Sequence, residues 1–360
     1  MITMQRAHLL WICLALASLA GCAPSTHIVY VTLPSTNGIA ALRMRDASGT
    51  FTELVGTPFL VGSAPTAIAL GPSGRFAYVV NRNEDDISLF KINGTTGQLT
   101  EVPPRTQTGL GAATLTMNAA GSLLFVANQG SNSISVYSVN SGDGTLKEIP
   151  SSPFVLLSGT NPAALALSSS GNYLYALSGN LNAVFIFSVD SQGNLQQIPV
   201  GSPFFVGIAP LALAMTAGNF LYVTNSNDNT VSGLKADPTA GTLSPVPGSP
   251  FATATTPTAL VVHPKGGFLY VTNSGTANVS AYQIDSKLGG LTPLTSSPFA
   301  GAGSGPTSAI IDVNGNFLLI CDHTGKTVTE YIINQQTGAL STNVVKASVP
   351  SQPVAMVIAK

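Results

Sequence analysis

The chain has 360 residues, only 8% of them charged, and its 14 Lys and Arg against 15 Asp and Glu leave a formal net charge of −1. With no basic excess to neutralise phosphates, this balance argues against a nucleic-acid partner. The 36 Gly and 24 Pro call for frequent chain reversals, and with abundant Ser, Thr and Asn they point to a β protein rather than a charge-laced helical one.

At the N-terminus, Arg6 and His8 precede an apolar run from Leu9 to Leu19, followed by small residues. The run is too short to span a bilayer and reads as a cleaved export signal. Leu19-Ala20-Gly21-Cys22 resembles a bacterial lipobox. The resemblance implies removal of residues 1–21, a lipid on Cys22, a tether over residues 22–27 and a membrane-anchored location in the cell envelope. Ala23 after the Cys leans toward the outer membrane on the same resemblance. The alternative is a plain signal cleaved near Ala23. Either way Cys13 is lost, and with Cys22 lipidated only the Cys321 thiol remains, so no intramolecular disulfide can form.

Internal repetition dominates the rest of the chain. A short aromatic strand recurs as Ile28-Val29-Tyr30-Val31, Phe76-Ala77-Tyr78-Val79, Leu123-Leu124-Phe125-Val126, Tyr173-Leu174-Tyr175-Ala176, Phe220-Leu221-Tyr222-Val223, Phe268-Leu269-Tyr270-Val271 and Phe317-Leu318-Leu319-Ile320. The third residues of these strands are spaced by 48, 47, 50, 47, 48 and 49 positions. Ahead of each complete copy lies a small apolar strand such as Pro257-Thr258-Ala259-Leu260-Val261-Val262, joined to it by a tight turn containing Gly. After it comes a strand of alternating character (Ile87-Ser88-Leu89-Phe90, Ile134-Ser135-Val136-Tyr137), which predicts a half-buried strand. A last short strand is expected to end near Ser-Pro-Phe (Ser152-Pro153-Phe154, Ser249-Pro250-Phe251) at an outer edge, because Pro cannot donate to a ladder.

Four antiparallel strands repeated seven times predict an all-β, seven-bladed β-propeller over residues 28–360 as a single domain. The first unit lacks its small apolar strand, and Gln352-Pro353-Val354-Ala355-Met356-Val357-Ile358 matches it, so the C-terminal strand is expected to complete blade 1 and close the ring.

Tyr222-Val223-Thr224-Asn225 and Tyr270-Val271-Thr272-Asn273 are literal YVTN motifs. With the repeat period and the Gly-x-Leu outer turns (Gly241-Thr242-Leu243, Gly289-Gly290-Leu291), the chain resembles the lactonase-type seven-bladed propellers, which include bacterial 6-phosphogluconolactonase. The resemblance implies lactone hydrolysis through a Gly-Pro-Arg-His segment entering an inner strand and a Glu directly after a Tyr-Val-x-Asn strand. Both are missing here. The entry segments read Ala64-Pro65-Thr66, Asn161-Pro162-Ala163, Ala209-Pro210-Leu211, Thr256-Pro257-Thr258 and Gly305-Pro306-Thr307, and the strand-end Asn residues are followed by Arg82, Gln129, Ser226 and Ser274.

The remaining catalytic candidates lie in loops expected on the face that holds the active site in such enzymes: Arg82 and Glu84 in the run Asn81-Arg82-Asn83-Glu84-Asp85-Asp86, and the pair Asp322-His323. A cation could hold a carboxylate or phosphate while an acid or His activates water. A cluster of Arg82, Glu84 and His323 at one end of the channel would favour a hydrolase. His263 is expected in a turn at the opposite end, Cys321 in the core, and Asn81, Asn128, Asn225 and Asn273 as turn residues that tolerate left-handed geometry. No metal or cofactor is expected: the chain has four His, one of them in the signal, and no paired ligand spacing. Two functions follow. One is a monomeric envelope propeller that binds or scaffolds a protein, glycan or small molecule; the other is a lactone hydrolase.

Overall fold

The computed structural model describes residues 26–45 and 50–359. Cys22 and the expected export signal lie outside the described residues. Seven antiparallel sheets follow one another along the chain as blades 1 to 7. Blade 5 shows the plan: an inner strand Pro210–Met215, a second strand Phe220–Asn225, a third strand Thr230–Ala236 and an outer strand Leu243–Pro245. The inner strands contact one another in a closed circuit around the axis. Blade 1 is completed by Met356–Ala359, which pairs with Thr26–Leu33 in the register Val31↔Met356 to Ile28↔Ala359. His27, read from sequence as tether, is already part of that strand.

The core sits between blades. Seven apolar clusters each join one blade to the next, from Val31, Leu319 and Met356 at the blade 7–blade 1 junction to Tyr222, Leu269 and Leu291 between blades 5 and 6. Every residue of Phe220–Asn225 is buried, because neighbouring sheets cover both faces of a second strand. Its tyrosine has a further task. Tyr30, Tyr78, Tyr175, Tyr222 and Tyr270 donate to the carbonyls of Gly97, Gly144, Gly241, Gly289 and Gly338, each in the outer turn of the following blade, at 2.6–3.0 Å. Those glycines have φ between 71° and 82°, the left-handed region that other residues enter at a cost.

Three expectations are corrected. The third strands are not half-exposed: Ile134, Ser135, Val136 and Tyr137 are all buried. The alternating Ser faces a buried Asn, not water. The strand-end Asn residues are accordingly not turn formers. Asn128 Nδ2 donates to Ser133 Oγ at 3.1 Å and Ser135 Oγ at 3.0 Å, and Asn225 Nδ2 to Thr230 and Ser232, each at 2.9 Å. The left-handed residues come four positions later, at Asp85, Asn132, Asn182, Asn229 and Ala277. Finally, Ser-Pro-Phe follows the outer strand instead of ending it. Ser152, Ser202, Ser249 and Ser297 accept third-strand amides at 2.9–3.0 Å, and the Phe opens a two-residue segment that returns to the third strand, as in Ile134↔Phe154. The serine hydroxyl thus satisfies the ladder amide at the point where the chain bends away.

Candidate active site at the channel mouth

Second strands run up to one face, where the loops to the third strands and the entries to the inner strands gather around the channel mouth. The entries to blades 2 to 6 are each held by a clamp between blades. The left-handed side chains of Asn37, Asp85, Asn132, Asn182 and Asn229 accept the amides of Ala64, Gly111, Asn161, Ala209 and Thr256 in the next blade, at 2.6–3.0 Å. The receiving residues also have positive φ, including Thr256 at 56°, a costly conformation for a β-branched side chain. Inner strands then begin with a register shift, as between Pro257 and Ala259.

Asp322 is explained by this clamp. Blade 6 has Ala277 at the clamping position, with no side-chain acceptor. Asp322, at the strand-end position that Asn occupies elsewhere, accepts Gly305 N at 2.9 Å instead, together with Gly325 N at 3.0 Å and Ser304 N at 3.3 Å. Its carboxylate is therefore engaged by backbone amides. His323 follows it, exposed, with its own amide bonded to Gly305 O.

The same backbone bond places Arg82, Gln129, Ser226 and Ser274 at positions equivalent to His323: their amides donate to Ala64, Gly111, Ala209 and Thr256 carbonyls. These residues form a ring at the mouth. Arg82 Nη2 spans two blades to reach Gln129 Oε1 at 2.8 Å. Glu84 turns elsewhere, to Arg105, whose Nη1 meets Glu84 Oε2 at 2.5 Å and whose Nε meets Glu101 Oε1 at 2.7 Å. Arg82, Glu84 and His323 share no contact among the described residues.

Arg105 was missed from sequence. It lies where blade 2 breaks the Ser-Pro-Phe pattern, as Pro103-Pro104-Arg105-Thr106, with Thr106 pairing to Ile87 where other blades pair Phe. That break was the available signal. Asp86 completes the group: it accepts Asn81 Nδ2 at 2.6 Å and lies 3.9 Å from Arg105. Burial raises the Asp86 carboxyl above its usual range, while Asn81 and Arg105 pull it down and Glu84 and Glu101 add to the rise. Hydrogen bonding to Glu101, then the surrounding carboxylates, hold the Arg105 guanidinium more firmly protonated against burial.

The channel wall itself is uncharged. Among the described residues no titratable side chain lies on any inner strand; they read PTAIAL, AATLTM, PAALAL, PLALAM, PTALVV and PTSAII in blades 2 to 7. Around the mouth, blades 3 to 5 present exposed Leu110, Leu157, Leu181, Ile208 and Leu211. Cys321 is fully buried, and burial, then Asp322, push its thiol far above the usual value, which leaves it inert.

A family model described as "Lactonase, 7-bladed beta-propeller" matches residues 22–160, 153–253 and 242–358. The chain is 32% identical over 81 residues to 6-phosphogluconolactonase of Bacillus subtilis, a match spanning 21% of this chain and 23% of that protein. Among solved structures, a 6-phosphogluconolactonase candidate from Bacteroides fragilis superposes with a TM-score of 0.80 at 22% identity, covering 93% of this chain and 98% of the other. The periplasmic gluconolactonase of Pseudomonas aeruginosa does so with a TM-score of 0.78 at 19% identity, covering 93% and 99%. At those identities the structures speak for the fold alone, whereas the family model covers nearly the whole described chain: this protein belongs to the lactonase seven-bladed β-propeller family.

Proposed function

We propose that this chain is a binding propeller of the lactonase family, held at the cell envelope through Cys22, that takes an uncharged ligand at the channel mouth. One observation carries the reading: a channel wall without titratable groups opens among exposed apolar side chains on blades 3 to 5. Such a surface offers little to a dianionic sugar phosphate and suits a neutral glycan, peptide or small molecule with an apolar face. The strand Thr26–Leu33 runs toward the mouth, so the chain enters blade 1 at the opposite end. An anchor at Cys22 then leaves the mouth facing away from the membrane.

A second reading, lactone hydrolysis, is favoured by Arg82 and His323 occupying equivalent ring positions with only blade 1 between their blades. Both readings are tested on residues 23–360, which contain the whole closed ring. The binding reading expects no turnover across a panel of sugar and aliphatic lactones, and capture of a neutral ligand that Leu211→Asp with Ile208→Asp abolishes. Hydrolysis above background that disappears in Arg82→Gln or His323→Ala would replace it with an enzyme.

A further inference from the structure

A cleft of about 770 Å³ opens on the face opposite the mouth, at the junction of blades 3 and 4, and reaches along the inner strands to blade 5. Its volume is that of a small-molecule site. The turns joining inner and second strands leave this space unfilled, whereas two other junctions are filled. Between blades 2 and 3, Pro72 fills the equivalent space: a Cβ on Gly121 would lie 2.5 Å from its ring. Between blades 6 and 7, the His263 ring does so against Gly315. Blade 3 has Ala119 in the place of Pro72, and a Cβ on Gly171 would meet nothing within 4 Å.

The lining has two chemistries. Met117, Leu165, Leu167, Leu213 and Met215 form an apolar floor, each only half-buried and so left partly in water. Asn118, Ser168, Ser169, Ser170 and Asn172 give the rim amides and hydroxyls. The one carboxylate, Asp190, accepts the Gln192 and Asn194 amides at 2.8 and 2.9 Å and Asn194 Nδ2 at 2.7 Å, as Asn118 Oδ1 and Ser168 Oγ likewise accept neighbouring backbone amides. Two methionines of adaptable shape flank the floor and can close on an unbranched chain.

We infer that this cleft is a second binding site, separate from the mouth, for a neutral amphiphile: an alkyl or acyl chain on the floor and an uncharged hydroxylated head at the rim. It opens on the face at which the N-terminal strand enters, the side from which a lipid-bearing tether would approach.

Octyl β-glucoside below its micelle concentration is the probe, titrated into residues 23–360 with labelled methionine methyls. The expected result is saturable binding that shifts Met117 and Met215 but not Met44 or Met356. Ala120→Trp, placed in the cleft, should weaken it at least ten-fold, while Lys265→Trp, at the matching turn position of blade 6, leaves it unchanged. Both variants are first checked for wild-type melting. Equal affinity for glucose alone, preference for octyl sulfate, binding that survives Ala120→Trp, or no saturable binding overturns the assignment.

Discussion

At the scale of single residues, His263 shows how one turn position can couple two blades to pH. Its Nδ1 accepts the Lys265 amide at 3.2 Å, which leaves the proton on Nε2, facing Gly315 O at 3.1 Å. Burial lowers its affinity for a second proton below the usual value of 6.5, and Lys265 adds to this against the opposing pull of the Gly315 carbonyl and Asp312. The unfolded chain takes up that proton near pH 6.5, whereas the folded chain resists until lower pH. Stability from this residue is therefore complete above about pH 6.5, falls as the pH drops, and levels off below the folded value. Urea midpoints of wild type and His263→Gln should converge between pH 7.5 and 5; a constant gap would show that His263 does not titrate with unfolding.

At the scale of the element, the strand-end asparagine is a clamp whose completeness varies from blade to blade. The amide oxygens of Asn128 and Asn273 receive Thr108 Oγ1 at 3.1 Å and Thr253 Oγ1 at 2.8 Å, while those of Asn81 and Asn225 are buried without a partner. Val61 and Val206 stand at the threonine position in those two blades, as the shared backbone bonds to Asn37 O and Asn182 O show. Val206→Thr should therefore supply the missing donor and stabilise the fold by about 0.5–1.5 kcal/mol, read as a raised urea midpoint at unchanged slope. A lowered midpoint would mean that the hydroxyl does not reach Asn225. This clamp was only half legible in the sequence. Asn at a strand end and Ser two positions into the next alternating run look like a turn and a solvent face, and only the neighbouring sheet's cover turns both into buried partners.

At the scale of the whole molecule, stability depends on ring closure. Met356 is 3% exposed and packs with Val31 and Leu319 across the junction of the first and last blades. Met356→Ala should cost about 2–5 kcal/mol, the range for emptying a buried site of this size. Truncation after Pro353 should cost at least as much, since it removes the strand that pairs with Thr26–Leu33. A truncated chain that melts like wild type would show that closure adds no stability. The number of blades, the strand order within each and the closure by the C-terminal strand are legible in the sequence, because each follows from periodicity and from a unit that starts one strand late. So is the placement of Arg82 and His323 in equivalent loops. What those loops hold depends on contacts between blades. Glu84 is drawn to Arg105, 21 positions away, and Asp322 to the amides that Ala277 cannot clamp. The cleft depends on which small side chains face each other across a blade junction. Such pairings join different repeats, and a repeat pattern records what its copies share, not where two of them meet.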